Sequence, residues 1–174
     1  MINKDLFFLI FNLSGQNPII DQLMIFGTNE LIYLTFLFVL LLAVKGGIKE
    51  KKSFLLIILS LPIAVLIIKG VHLFVYEPRP FVTFNLTPLV SETLNAAFPS
   101  RHATISAVIA FAFIYFKSKY TLPLLLVMVW ISISRVYVGV HYPLDLIGGW
   151  ATAVISLTIA LQIKKILKIG FLRA

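Results

Sequence analysis

The sequence predicts an all-α integral membrane protein, and three observations support that fold class. Hydrophobic residues make up 60% of the chain and charged residues 13%, with a mean hydropathy of +1.01, which is far more apolar than a soluble domain. The apolar residues form long uninterrupted runs. The lysines fall mainly in the short breaks between these runs, as expected of a chain that crosses a bilayer repeatedly. We therefore expect one helical bundle that forms a single domain over residues 1–174.

Five apolar runs meet or approach the length of about 20 residues that a spanning helix requires. They cover 29–45, 53–76, 101–116, 121–137 and 143–163. The run 121–137 is slightly short, but it has no charge before Arg135. The apolar segment 6–11 is too short to cross and has no signal-peptide cleavage site after it, so it predicts an interfacial or half-inserted helix. The expected bundle thus has five spanning helices plus this short N-terminal helix, six helices in all.

The basic residues predict the orientation, because Lys and Arg in short loops stay on the cytoplasmic side. They concentrate in three segments: Lys45, Lys49, Lys51 and Lys52; Lys117 and Lys119; and Lys164, Lys165, Lys168 and Arg173 in the tail. With five spans these segments share one face, which places the C-terminus in the cytoplasm. The loop 77–100 and the turn 137–142 then face the periplasm or exterior of a multi-pass cell-membrane protein.

Composition also excludes several functions. The net charge of +8 and the pI near 9.8 are accounted for by the lysine breaks, so we expect membrane lipids rather than nucleic acid as the partner. The chain has no cysteine, which excludes disulfides and thiolate metal sites. Acidic residues are too few, and basic ones too many, for a typical Mg²⁺ or Zn²⁺ site, so we expect neither metal nor cofactor.

The most informative stretch runs from Ser134-Arg135 to His141 and Asp145, between two strongly apolar segments. Charged groups next to hydrocarbon cost about 2.5 to 3.5 kcal/mol each, so they are seldom incidental. Pro143 is well suited to begin a helix, and Asp145 lies in the first turn of that helix. A favourable interaction with the helix dipole would be enough to explain an acidic residue there. Asp145 also lies four residues after His141, within reach of its ring. A carboxylate on one imidazole nitrogen makes the other nitrogen a better base or nucleophile.

Two more polar clusters border apolar runs. Arg79 follows a predicted helix that carries Lys69 and His72 one turn apart, and these basic groups could simply extend to lipid headgroups. The segment Pro99-Ser100-Arg101-His102 begins another helix, with Ser100 as the predicted N-cap. Capping explains Ser100 but gives no reason for Arg101 and His102 at the mouth of a membrane helix.

Together these groups are suited to a phosphate. Helix N-termini at 101 and 143 open on the same predicted face and favour anions. The guanidinium groups of Arg79, Arg101 and Arg135 match phosphoryl oxygens. With two histidines present, Asp145 indicates His141 as the nucleophile that attacks phosphorus, which leaves His102 to protonate the leaving oxygen.

These residues resemble the signature of the type 2 phosphatidic acid phosphatase superfamily of membrane lipid phosphatases: K-x6-R-P, P-S-G-H and S-R-x5-H-x3-D. The third part matches completely at Ser134-Arg135, His141 and Asp145, and the matched parts run from about 69 to 145. The resemblance implies a phosphohistidine at His141 oriented by Asp145 and a proton donor at His102. It also implies phosphate binding by Arg79, Ser100 and Arg135.

The chain departs from that signature at two positions. Arg101 stands where the family has glycine, and it could instead point toward a second phosphate, which favours a diphosphate substrate. His72 stands where the family has lysine, with Lys69 three residues earlier. Either Lys69 reaches the site from the adjacent turn, or His72 takes over the lysine's role.

The N-terminal residues Asn12 to Gly15, Pro18 and Asp21, and the segment 79–82, resemble the bacitracin-resistance-type branch. That resemblance implies hydrolysis of undecaprenyl diphosphate to undecaprenyl phosphate at the outer leaflet, a step in recycling the cell-wall lipid carrier. The alternative is a phosphatase of phosphatidylglycerophosphate, phosphatidic acid or lipid A. A non-catalytic lipid-binding or transport protein would also use basic groups at the membrane interface, but it would not require a paired His141 and Asp145.

Overall fold

The computed structural model describes residues 2–166, and the described chain is helical with no strand. The helices in chain order are α1 (Ile2–Phe11), α2 (Pro18–Asn29), α3 (Leu31–Lys45), α4 (Ile48–Phe74), α5 (Pro80–Thr83), α6 (Arg101–Tyr115), α7 (Thr121–Tyr137) and α8 (Pro143–Ile166). Lys168 and Arg173, which contributed to the predicted orientation, lie outside the described residues.

Helices are present at all five predicted runs, as α3, α4, α6, α7 and α8, but the predicted total of six helices is wrong. Residues 2–166 form eight, because α2 and the short α5 are additional. The polar pair Asp21 and Gln22 interrupts the apolar sequence of α2 and hid it from a search for continuous runs. Its start was nonetheless encoded, since the side chain of Asn17 accepts hydrogen bonds from the N–H groups of Ile19 and Ile20 ahead of the first turn.

Two of the described helices, α4 and α8, are each long and apolar enough to cross a membrane. Helices α2 and α3 satisfy the same criterion together but meet at a 54° bend, so they form either one broken span or a re-entrant pair. Helices α6 and α7 are apolar but shorter, with 15 and 17 residues. The broad prediction of a helical membrane protein is therefore confirmed.

Helix α6 lies at the centre of the bundle, packed against α4, α7 and α8. Its buried surface is built largely of small residues, which allow neighbouring backbones to approach closely without a solvent-driven hydrophobic force. These buried small residues are Ala103, Thr104, Ser106, Ala107, Ala110 and Ala112. Large apolar side chains on the outer helices remain exposed, as a lipid-facing surface requires.

The hydroxyl groups inside these apolar helices bond to their own backbone. Thr104 Oγ1 donates to Ser100 O at 2.8 Å, Ser60 Oγ to Leu56 O at 2.7 Å, and Ser53 Oγ to Lys49 O at 2.9 Å. Each bond satisfies a polar side chain that hydrocarbon could not hydrate.

The bundle has two chemically distinct ends. At the basic end, which comprises the α3–α4 and α6–α7 connections and the C-terminus of α8, Lys49 Nζ donates to Lys117 O at 3.0 Å and Ser118 Oγ donates to Glu50 Oε1 at 2.5 Å. Lys49 lies in the first turn of α4 rather than in a loop, because α4 begins five residues earlier than the predicted run. The opposite end, the site end, gathers the end of α4, the start of α6, the end of α7 and the start of α8.

Candidate active site

His141 is carried by the sharp turn that joins α7 to α8. Gly139 adopts φ +90°, a conformation that a residue with a Cβ rarely takes. The N–H groups of Val140 and His141 both donate to the carbonyl oxygen of Arg135, each at 3.2 Å. Pro143 then begins α8, as the sequence predicts. The turn therefore presents the imidazole from a backbone held at both ends.

His141 and Asp145 form a buried pair, with Nδ1 of the histidine 3.1 Å from Oδ2 of the aspartate. The same carboxylate oxygen accepts the N–H of Tyr142 at 2.8 Å, so it is fixed by the start of its own helix. Only 2% of His141 and 0% of Asp145 is exposed. Because a carboxylate accepts from Nδ1–H, this contact leaves the lone pair on Nε2.

The Nε2 atom of His141 faces a cation. Arg79 Nη1 lies 3.1 Å from it and also donates to Val140 O at 3.0 Å. Burial lowers the pKa of His141 well below its ordinary value, and the positive charges of Arg135 and Arg79 lower it further. The ring is therefore neutral at physiological pH, as a nucleophilic nitrogen requires.

Arg79 and Arg135 supply the strongest charges around that nitrogen, and both are almost fully buried. The Nε and Nη2 groups of Arg79 donate to Asn95 Oδ1, at 3.2 and 2.7 Å. Burial lowers the pKa of Arg79 to about 10, opposed by the charge of Glu92, so the guanidinium stays protonated at neutral pH. Arg135 forms an ion pair with Glu92, and its buried Nε has no hydrogen-bond partner within the described structure.

Glu92 and Asn95 contact these arginines but were not anticipated from the sequence. Both lie in the irregular segment between α5 and α6, where no periodicity fixes the direction of a side chain. The sequence offered one indication of their role, because both are polar and lie between two segments that carry motif residues. The sequence of a loop does not show which groups its side chains contact.

Ser100 occupies the predicted N-cap position of α6, but its side chain does not cap the helix. Its Oγ is buried and has no hydrogen-bond partner among the described residues, while its N–H donates to Asp145 O at 3.0 Å. The first turns of α6 and α8 are thus joined at the site end, with one hydroxyl left available for a ligand.

Glycine in α8 makes this close approach possible. A Cβ on Gly149 would lie 2.9 Å from Ser100 O and 3.1 Å from the backbone N of Thr104. At neighbouring Gly148 it would overlap the ring of Phe98, at 2.2 Å. Gly149 thus allows Ser100 to lie against α8, and Gly148 makes room for the ring of Phe98.

His102 lies in the first turn of α6, two residues after Ser100. Lys69, His72 and Arg101 line a neighbouring cavity of about 340 Å³ between α4 and α6. The polar mouth of this cavity also includes Asn95, and its floor is apolar. Nε2 of His72 is buried and has no partner in the described part of the chain. The structure thus places Lys69 and His72 on the same cavity wall.

Helix α1 supports the turn that carries His141. The ring of Phe7 is fully buried and packs against Phe11 and Tyr142, with centroids 5.2 and 5.6 Å apart. Asn3 Oδ1 accepts the N–H of Leu144 at 3.0 Å, which satisfies a free donor in the first turn of α8. The N-terminal segment therefore packs against the site end.

Comparison with known proteins identifies a matching family, similar sequences and a similar fold. The family model of the PAP2 superfamily matches residues 51–168. Undecaprenyl-diphosphatase BcrC of Bacillus subtilis is 33% identical over 155 residues, which cover 88% of this chain and 80% of that protein. Putative undecaprenyl-diphosphatase YbjG of Escherichia coli is 31% identical over 157 residues, covering 89% and 79% of the two chains. The crystal structure of Aquifex aeolicus LpxE has a TM-score of 0.73 at 24% identity, covering 93% of this chain and 96% of that one, and therefore shares the fold.

Proposed function

The chain belongs to the PAP2 superfamily, and we propose that it is a membrane phosphatase that converts undecaprenyl diphosphate to undecaprenyl phosphate. The observation that carries this proposal is the arrangement around His141: Asp145 holds Nδ1 at 3.1 Å, and Nε2 faces Arg79 at 3.1 Å. A neutral imidazole held in this way is suited to attack phosphorus. The similarity to undecaprenyl-diphosphatases over most of the chain favours the diphosphate of a long prenyl lipid.

In the first step, Nε2 of His141 forms a bond to the terminal phosphorus as the anhydride P–O bond breaks. Asp145 stabilises the positive charge that develops on the ring, and His102 donates a proton to the departing oxygen of the lipid phosphate. Arg79, Arg135 and the free hydroxyl of Ser100 bind the non-bridging oxygens, where negative charge accumulates.

In the second step, water attacks the phosphohistidine, the N–P bond breaks, and inorganic phosphate leaves. His102, now neutral, accepts the proton of that water. Arg101, with Lys69 and His72 across the same cavity, binds the phosphate that stays on the lipid, and the apolar floor receives the first part of its chain.

The membrane arrangement that goes with this activity has five spans, formed by the bent pair α2–α3 as one and by α4, α6, α7 and α8. The basic end lies in the cytoplasm, together with the C-terminus, and the site end opens to the outer leaflet of the cell membrane. Lys49 in the first turn of α4 and Lys117 in the α6–α7 connection lie at one end, as this orientation requires.

The direct test is phosphate release by the purified protein. The panel consists of undecaprenyl or shorter prenyl diphosphates, phosphatidylglycerophosphate, phosphatidic acid and a lipid A phosphate. We expect kcat/KM to be at least about tenfold higher for prenyl diphosphates, a difference of about 1.4 kcal/mol in transition-state stabilisation. Preference for another member of the panel would reassign the substrate, and no release from any of them would contradict the phosphatase function.

A further inference from the structure

Glu92 lies between the two arginines assigned to phosphate binding. Its Oε2 atom forms the ion pair with Arg135 Nη2 and lies 3.9 Å from Arg79 Nη1. Only 13% of the glutamate side chain is exposed, although Ser91 and Thr93 on either side are exposed. A loop carboxylate therefore points inward and is shared by two buried cations.

One nitrogen of Arg79 approaches both this carboxylate and the imidazole of His141. The Nη1 atom of Arg79 that approaches Glu92 is the same atom that lies 3.1 Å from Nε2 of His141. A phosphoryl group attacked by His141 and held by both arginines would need to place its oxygens in this region.

Glu92 is charged in this setting. Burial alone would raise its pKa, but the charge and hydrogen bond of Arg135, with the charge of Arg79, lower the pKa to about 2. Glu92 therefore remains an anion at every working pH. While it stays in place, no other anion can form full ion pairs with both arginines.

The segment that carries Glu92 is anchored on both sides of it. Leu89 N–H donates to Val138 O at 3.1 Å, and Ala97 N–H donates to Glu77 O at 2.8 Å. The backbone between these anchors is irregular, and Ser91, Thr93 and Leu94 are exposed, so the carboxylate can be displaced locally.

We propose that Glu92 is an intramolecular competitor that occupies the phosphoryl subsite at rest and must be displaced by every anionic ligand. This inference rests on the proposed phosphatase function. A displaced competitor weakens the binding of all anions by one common factor. Singly charged phosphodiester headgroups surround the protein and bind two arginines less strongly than a doubly charged terminal phosphate does. The common factor therefore keeps weakly bound phosphodiesters from filling the site when no substrate is present, but it does not change the ratio of the affinities for substrate and phosphodiester.

The test compares the wild type with Glu92→Gln, which is nearly isosteric but neutral, and with Glu92→Ala. The probes are methyl phosphate and dimethyl phosphate, which differ by one negative charge, used as inhibitors of phosphate release from a prenyl diphosphate. We expect both inhibition constants and KM to fall by the same factor, at least about tenfold or ~1.4 kcal/mol. The value of kcat should stay within about twofold, because the carboxylate has already left in the substrate complex.

Glu77→Gln is the matched control, since it removes one negative charge at the same end from a residue without an ion pair to either arginine in the described structure. Any effect of Glu77 acts through space and scales with ligand charge. Its logarithmic shift for methyl phosphate should therefore be small and about twice that for dimethyl phosphate.

Three results would overturn the proposal: unchanged inhibition constants in both Glu92 variants, a shift that scales with ligand charge, or a fall in kcat at constant KM. Direct binding of the two probes, followed by ³¹P line broadening, measures the same ratio without turnover. If no lipid phosphate is hydrolysed, the proposed function fails while the binding experiment still decides whether Glu92 blocks the subsite.

Discussion

Gly149 in α8 lies against the backbone of Ser100 so closely that a Cβ there would be 2.9 Å from the Ser100 carbonyl oxygen. The neighbouring backbone N of Thr104, at 3.1 Å, leaves no flexible group that could give way. The start of α6 is thus held against the start of α8 by a contact that only glycine permits. This relationship connects the packing of two helices with the geometry of the candidate site.

We expect Gly149→Ala to push the first turn of α6 away from Asp145. The strain should cost about 1 to 3 kcal/mol of stability and lower kcat/KM by at least about tenfold. Gly70→Ala is the matched control, because a Cβ on this α4 glycine meets nothing within 4 Å. It should keep full activity and an equal or higher melting temperature. Equal activity of the two variants would show that the contact does not position the site.

His141→Ala should remove turnover by at least about 10⁴-fold, because no neighbouring group can carry the phosphoryl group in its place. Rapid quenching with a ³²P-labelled lipid diphosphate should trap an acid-labile, base-stable phosphoenzyme in the wild type and none in this variant. Asp145→Asn should slow formation of the intermediate by up to about 10⁴-fold, since an amide can hold the ring but cannot stabilise its positive charge. Label retained by His141→Ala would contradict the assignment.

His102→Ala removes the proposed proton donor and should slow hydrolysis of lipid phosphates by roughly 10²- to 10⁴-fold. A substrate whose leaving group departs without protonation, such as an aryl phosphate with an acidic phenol, should be affected much less in the phosphorylation step. Single-turnover rates for the two substrates provide the comparison. Equal losses for both would mean that His102 does more than donate this proton.

Cysteine labelling tests the proposed orientation, and the chain has no cysteine of its own. Thr87→Cys replaces an exposed residue of the α5–α6 loop, and Lys119→Cys replaces an exposed residue of the α6–α7 connection. In intact cells an impermeant thiol reagent should label Thr87→Cys alone, and permeabilised cells should show both. The reverse pattern would place the site in the cytoplasm.

Turnover should survive chelation by EDTA, because Arg79, Arg135 and Arg101 supply the positive charge that a metal would otherwise bring to the phosphate. Within residues 2–166, no three His, Asp or Glu side chains form a group that could hold a metal ion. Phosphate release is measured before and after exhaustive dialysis against chelator. Loss of activity that Mg²⁺ restores would contradict a purely cationic site.

Much of the fold could be predicted because the bilayer imposes simple rules on sequence. The apolar runs located α3, α4, α6, α7 and α8, and the spacing of His141 and Asp145 predicted a contact that the structure contains. Helix α2 was missed, since Asp21 and Gln22 interrupt its apolar pattern. The predicted cap at Ser100 was correct in position only, because the hydroxyl makes no hydrogen bond to the helix backbone.

The sequence by itself determined the helical membrane class and the residues of the signature. The lengths of apolar runs, the turns and the short spacings between motif residues all depend on residues that are close together in the sequence. Only the tertiary structure showed that Glu92 lies between Arg79 and Arg135, and that Gly149 admits the backbone of Ser100. These contacts join segments separated by 13 to 49 residues, through an irregular loop and a close helix packing. No local periodicity encodes such contacts, because they depend on where separate helices place their ends.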